Sequence, residues 1–196
     1  MKIQKSQITK ITITDIPQLD NIALYLEDYK IGQGKITITC FNESWSYYWG
    51  AMGNNTLAEF IIDCDNHYLS GKLNPSVKAD IIDEDGMDDF AKKEVIRRRR
   101  EGSLYRKEAR DIYDRCRDLC EMKTYDSQEY AKIMFLVFGD EWWDCPNPTK
   151  PNPKYQYFCR ILDAVKEALR QIQKDAMDAL EDDMSTGMLA KVTENK

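Results

Sequence analysis

Residues 35–50 read KITITCFNESWSYYWG, and how this stretch is divided decides what kind of fold the N-terminus can make. In its first half Ile36 and Ile38 fall on one side of an extended chain, while Thr37 and Thr39 fall on the other. That two-residue period is the signature of a strand with one buried face. In its second half four aromatic rings, Trp45, Tyr47, Tyr48 and Trp49, crowd into five positions. If the strand period continues, Trp45, Tyr47 and Trp49 share a side and Tyr48 opposes them. So much aromatic area is rarely left in water, so the main role expected of this run is to cover a seam between sheet and helix. Tyr48 and Trp45 are the rings expected to protrude and to serve in binding.

Upstream, ITKITITDI sets Ile8, Ile11 and Ile13 among Thr and Lys until Pro17 ends the run. ALYLEDYK then meets KITITCF across IGQG, whose glycines Gly32 and Gly34 can take positive backbone angles. About three antiparallel strands over residues 8–41 are predicted. Downstream, Thr56 and Glu59 match a capping box, followed by Leu57, Phe60, Ile61, Cys64 and Tyr68 on one helical stripe that Gly71 and Pro75 should end. Further helical patterns follow Gly102 (Tyr105, Ala109, Ile112, Cys116, Leu119) and run through SQEYAKIMFLVFG, which is apolar nearly all round and so belongs inside the protein. CPNPTKPNP (145–153) cannot be helical. From Tyr155 through Phe158, Leu162, Val165, Leu169, Ile172 and Ala176 the three-four period marks one long amphipathic helix. The expected fold class is α+β: a small N-terminal antiparallel sheet, then four to five helices with the last one long. Residues 1–75 should carry the sheet and first helix, 76–185 a helical part packed on it as one compact unit, and 186–196 a frayed tail.

The chain has 196 residues, 42% of them hydrophobic, enough for a sizeable core. Its formal charge of −6 argues against a general affinity for phosphate backbones. No apolar run is of signal-peptide or membrane-spanning length, which leads to the expectation of a cytoplasmic protein whose six cysteines stay reduced.

Catalysis finds little support. With His67 the only histidine, a histidine triad or two-histidine metal site within one chain is excluded. Cys64 and His67, one helical turn apart if the helix continues, and Cys116 with Cys120 are the only start of a zinc site, and the spacing is not a zinc motif. DIIDEDGMDD (80–89) holds six acids, but aligning Gly86 with a calcium-loop glycine puts Ile81 and Lys92 where carboxylates are required. The expected chemistry is non-enzymatic, with no cofactor and no metal; a metal-dependent enzyme using the acid run ranks third. The acids of that run, Asp83, Glu84, Asp85, Asp88 and Asp89, are expected to form a partner-binding surface, joined by a second acidic cluster at 175–183. Aromatic contacts are expected from Trp45, Tyr48, Trp142 and Trp143, since adjacent tryptophans at a helix end cannot both point inward. The alternative is a nucleic-acid surface made by Arg97, Arg98, Arg99, Arg100, Arg106 and Lys107. Against it, four consecutive arginines spray around a helix, and Glu94, Glu101 and Glu108 lie within pairing reach. Homodimerisation through residues 153–180 is a further expectation, because the apolar stripe is longer than one neighbouring helix needs.

The segment ITITCFNESWSYYWGAMGNNTLAEFIIDCDNHYLSGKL, with its strand, its SWSYYWGAMG and its capped helix ending in DNHYLSGKL, resembles accessory proteins of tailed phages and prophages of enteric bacteria. The resemblance covers about the first 75 residues and transfers no catalytic residue. It implies a modulator of host systems of the anti-restriction or anti-CRISPR type, acting in the host bacterial cytosol. Together with the acid clusters, which could present carboxylates where phosphates would lie, this makes the leading expectation an inhibitor of a host protein or nucleoprotein machine.

Overall fold

The computed structural model describes residues 1–193 apart from Gln4 and Ser6, with side chains described for all of these except 124, 125 and 182–193. The chain divides into two compact units, residues 1–78 with 153–196, and residues 79–152.

The first unit opens with four strands, β1 (Thr9–Ile13), β2 (Ile22–Lys30), β3 (Gln33–Cys40) and β4 (Glu43–Trp49), in an antiparallel sheet of order β1-β2-β3-β4. The aromatic run is therefore the fourth strand, one more than the three expected. Its register sets Trp45 opposite Ile38 and Trp49 opposite Gly34. The strand period sends Ile22, Leu24 and Leu26 of β2, Ile36, Ile38 and Cys40 of β3, and Trp45 and Trp49 of β4 to a single buried face. Gly32 turns β2 into β3 at a φ of 75°. Its N–H donates to the carbonyl of Asn55 and its own carbonyl accepts from Met52, so the turn also clamps the loop that follows β4. A Cβ at this position would run into the carbonyl oxygen of Gly53.

Three helices cover the buried face: α1 (Leu57–Asp63), α2 (Asn66–Leu73) and, from the far end of the chain, α7 (Pro153–Thr193). The capping box forms as the spacing predicts, Glu59 N–H donating to Thr56 Oγ1 and Thr56 N–H to Glu59 Oε2. The single helix expected beyond it is two. Asp65 takes an extended conformation and accepts from the N–H of Tyr68, starting a new helix. Lys166 of α7, 8% exposed, donates to the carbonyl of Cys64 at the break. Helix α2 runs through Gly71 to Leu73 and stops before Pro75. From α7, Phe158, Ile161, Leu162, Val165 and Leu169 complete the core. The last helix, placed by the sequence reading with the helical part 76–185, packs with the sheet. The tail expected to fray, 186–196, has no described side chains and its last three residues lie outside the described residues.

The second unit is bounded by a two-stranded ladder, β5 (Asp80–Ile82) against β6 (Thr149–Pro151), which brings its ends together. Between them lie α3 (Met87–Arg100), α4 (Arg106–Arg115), α5 (Leu119–Tyr125), α6 (Ser127–Phe138) and a short 3-10 turn (Trp142–Asp144). The pattern that the sequence reading ran from Tyr105 to Leu119 breaks after Arg115, because Asp118 takes a φ of 63°. These two breaks raise the helix count from the four to five expected to seven among the described residues. Helix α6 is less enclosed than its composition predicts: Tyr130, Ile133, Met134 and Val137 are buried, and Phe135 is half-exposed. The unit has its own core, in which these side chains meet Met87, Ala91, Val95, Leu104, Ala109, Ile112, Cys116 and Leu119. No helix among the described residues is long and apolar enough to cross a membrane.

Candidate functional site: an arginine groove between two helices

The strand β4 aromatics are mostly core. Trp45, expected to protrude, is 9% exposed and packs on Phe158 with ring centroids 4.7 Å apart. Trp49 is buried and donates its indole N–H to Tyr68 Oη at 3.0 Å. Tyr48 alone of the four stands in solvent, on the opposite face of the sheet as alternation requires, beside Tyr29 at 5.9 Å. In the second unit Trp142 turns toward the core and Trp143 is 70% exposed, as adjacent positions demand.

The five acids of the run 80–89 expected to bind a partner differ in their surroundings. Residues 80–82 are strand, so the run is not simply a solvated loop before a helix. Asp83 accepts from Lys150 at 2.7 Å across the β5–β6 ladder, and that bond, with the charge it carries, raises the lysine pKa. Asp88 accepts from the backbone N–H groups of Asp118 and Cys120, holding the start of α5. Glu84, Asp85 and Asp89 are exposed, with Asp85 lying 3.9 Å from Lys150. Of the cluster at 175–183, Asp175, Asp178 and Glu181 are exposed, and Asp182 and Asp183 have no described side chains.

The basic segment is also divided by its helix. Arg97 is gripped by Glu94 and Glu101, with bonds of 2.8 and 2.7 Å, and these raise its already high pKa. Arg98 turns inward and donates to the carbonyls of Leu136 and Val137 at 2.8 and 2.7 Å, satisfying the end of α6. Arg99 and Arg100 point elsewhere. They line a groove of about 520 Å³ between α3 and α4, together with Arg106, Arg110, Tyr113 and Asp114. Its floor is apolar, made by Val95, Ile96 and Ala109. Among the described residues no hydrogen bond or ion pair engages the guanidinium of Arg99, Arg100 or Arg106, and Arg110 reaches Asp114 only at 3.8 Å, with both groups mostly in water. Lys107 is exposed on the first turn of α4. Four guanidinium groups stand against one carboxylate here, and each offers a planar fork of donors complementary to the oxygens of an anion. The sequence reading missed Arg110, whose signal was its spacing of four from Arg106 on one helix.

The remaining reactive groups are not assembled. Cys64 ends α1 and His67 lies in α2, so the two do not share the helical turn that a zinc start would need. His67 Nδ1 lies 3.4 Å from Tyr155 Oη. Among the described residues no three His, Cys, Asp or Glu side chains form a group that could hold a metal ion. All six cysteines are free, and burial raises the thiols of Cys64, Cys120, Cys145 and Cys159 and pushes Cys116 up to about 11. Most of the stripe at 153–169 fills the first unit's core, leaving Ile172, Met177 and Leu180 exposed.

A phage protein family, Phage_phiTE_072, matches residues 1–171. The chain belongs to this phage family. The match takes in the second compact unit and the first as far as residue 171 in α7, well beyond the first 75 residues on which the resemblance rested. No curated protein and no solved structure matches the chain.

Proposed function

We propose that this member of the phage family is a modulator of the anti-restriction or anti-CRISPR kind, acting by binding, without bond-making chemistry, on a host nucleoprotein machine. It does so by contacting the nucleic acid that the machine handles. The host would be an enteric bacterium and the place of action its cytosol. The observation that carries this reading is the arginine groove, in which three of four guanidinium groups have no partner among the described residues. An arginine without a carboxylate has no neighbour to offset its charge, and phosphate, like carboxylate, is an anion whose geometry its fork fits. The net charge of −6 does not oppose this, because attraction at short range is set by the local charges within about a Debye length.

A second reading has one observation in its favour: Glu84, Asp85 and Asp89 stand exposed, with the Asp85 carboxylate 93% accessible. These three could meet a basic channel on a host protein, although Asp83 and Asp88 are engaged in holding the fold and are not free to join them. One capture experiment from host lysate separates the two readings. With tagged protein, Arg99→Glu and Arg100→Glu together should abolish retention of the nucleoprotein complex, and nuclease treatment should do the same. The triple change Glu84→Lys, Asp85→Lys, Asp89→Lys should leave retention intact. The opposite pattern would replace the first reading with the second.

A further inference from the structure

We infer that the groove between α3 and α4 takes a single-stranded nucleic acid, with phosphates on Arg99, Arg100, Arg106 and Arg110 and bases on the apolar floor and Tyr113. The inference rests on the reading of the groove as a nucleic-acid site and adds the form of the nucleic acid.

The argument lies in what stands between the arginines. A duplex meets a non-specific protein surface with phosphates, its bases being stacked inside, so a duplex site needs cations and has no use for exposed apolar area. A single strand offers bases as well, and these gain by leaving water against aromatic and aliphatic side chains. The groove supplies both kinds of surface. Ile96 and Tyr113 are each 39% exposed in it, and Tyr105, outside its lining but next to Arg106 in sequence, is 86% exposed. None of the three is needed in the unit's core, which is closed by Val95, Ala109 and Ile112 from the same helices. An aromatic ring and an aliphatic side chain beside four arginines form a stacking surface inside a positive funnel, and every base has a face to lay on it.

The test uses the full chain with a fluorescent oligothymidylate, the same length of oligouridylate, and a blunt duplex of that length, each titrated across a salt series. Either single strand should bind more tightly than the duplex. Each arginine removed (Arg100→Ala, then Arg106→Ala) should flatten the slope of log affinity against log salt by about 0.7, the increment for a single-strand phosphate. Tyr113→Ala should weaken single-strand binding by about fivefold to a hundredfold with the slope unchanged, and Tyr113→Phe should restore it. Because Tyr113 and Arg100 are surface groups, a native circular dichroism spectrum will distinguish lost contacts from lost folding. If the duplex binds as well as the single strands, or Tyr113→Ala binds like the parent, the single-strand inference fails while the nucleic-acid reading stands. If neither form binds, both fail, and binding of polyglutamate in the same assay would assign the groove to an acidic protein segment.

Discussion

Phe41 takes a φ of 52° in the tight turn between β3 and β4, and its ring is 79% exposed. A side chain in the left-handed region costs roughly 1–2 kcal/mol, which is why asparagine or glycine is the usual residue in such turns. The ring lines a groove of about 660 Å³ whose other walls include Cys40, Trp45 and Tyr157, without closing over it. Phe41→Asn should therefore raise the denaturant midpoint, adding about 1 kcal/mol with the m-value unchanged. A lowered midpoint would mean that the ring's contacts in this groove outweigh the strain. The same scale explains which sequence-stretch candidates survived. Tyr48 and Trp143 were recognisable as exposed from alternation and adjacency alone. Trp45 was not recognisable as core, because Phe158, whose ring packs on it, lies far along the chain.

At the scale of elements, boundaries depended on single residues whose effect is local. The capping box at Thr56 and Glu59 was legible because both partners lie within one turn. It also makes a pH prediction. Bonds from Thr56, first its backbone N–H and then its hydroxyl, hold the Glu59 pKa below the ordinary carboxylate value. A depressed folded pKa means that the stabilisation is present in full above the unfolded value of 4.5, and is lost as pH falls through the lower folded value. Glu59→Gln should thus lower the melting temperature at neutral pH and converge with the parent in acid, as melts from pH 7 downward will read. Parallel curves across that range would remove Glu59 from the acid response. The breaks at Asp65 and Asp118 were harder to see. An apolar stripe continues across each, and the breaks are held by Lys166 on the carbonyl of Cys64 in one case and by Asp88 on the N–H groups of Asp118 and Cys120 in the other. Both partners are distant in sequence, and the one local signal at either break is the Asp65 carboxylate capping the N–H of Tyr68.

For the whole molecule, the decisive feature is that the second unit is inserted into the first. Its ends meet in the β5–β6 ladder, the N–H of Asn152 donates to the carbonyl of Ala79, and its core draws only on its own helices. A segment with its own core and adjoining ends meets the conditions for independent folding. Residues 79–152 expressed alone should give a cooperative thermal transition and keep the nucleic-acid affinity proposed for the groove. The remainder, joined by a short Gly-Ser linker, should fold without that affinity. A non-cooperative melt of the excised segment would contradict this. The sequence alone determined the α+β class, the hairpin at Gly32, the capping box and the long last helix, because each follows from periodicity or from partners a few residues apart. The tertiary structure alone decided three things. It returned α7 to the sheet, it withdrew Asp83, Asp88, Arg97 and Arg98 into the fold's own bonds, and it set Arg99, Arg100, Arg106 and Arg110 around one groove. The physical reason is that a charge's role depends on the nearest opposite charge or open carbonyl in space, and a linear pattern carries that distance only within a helical turn.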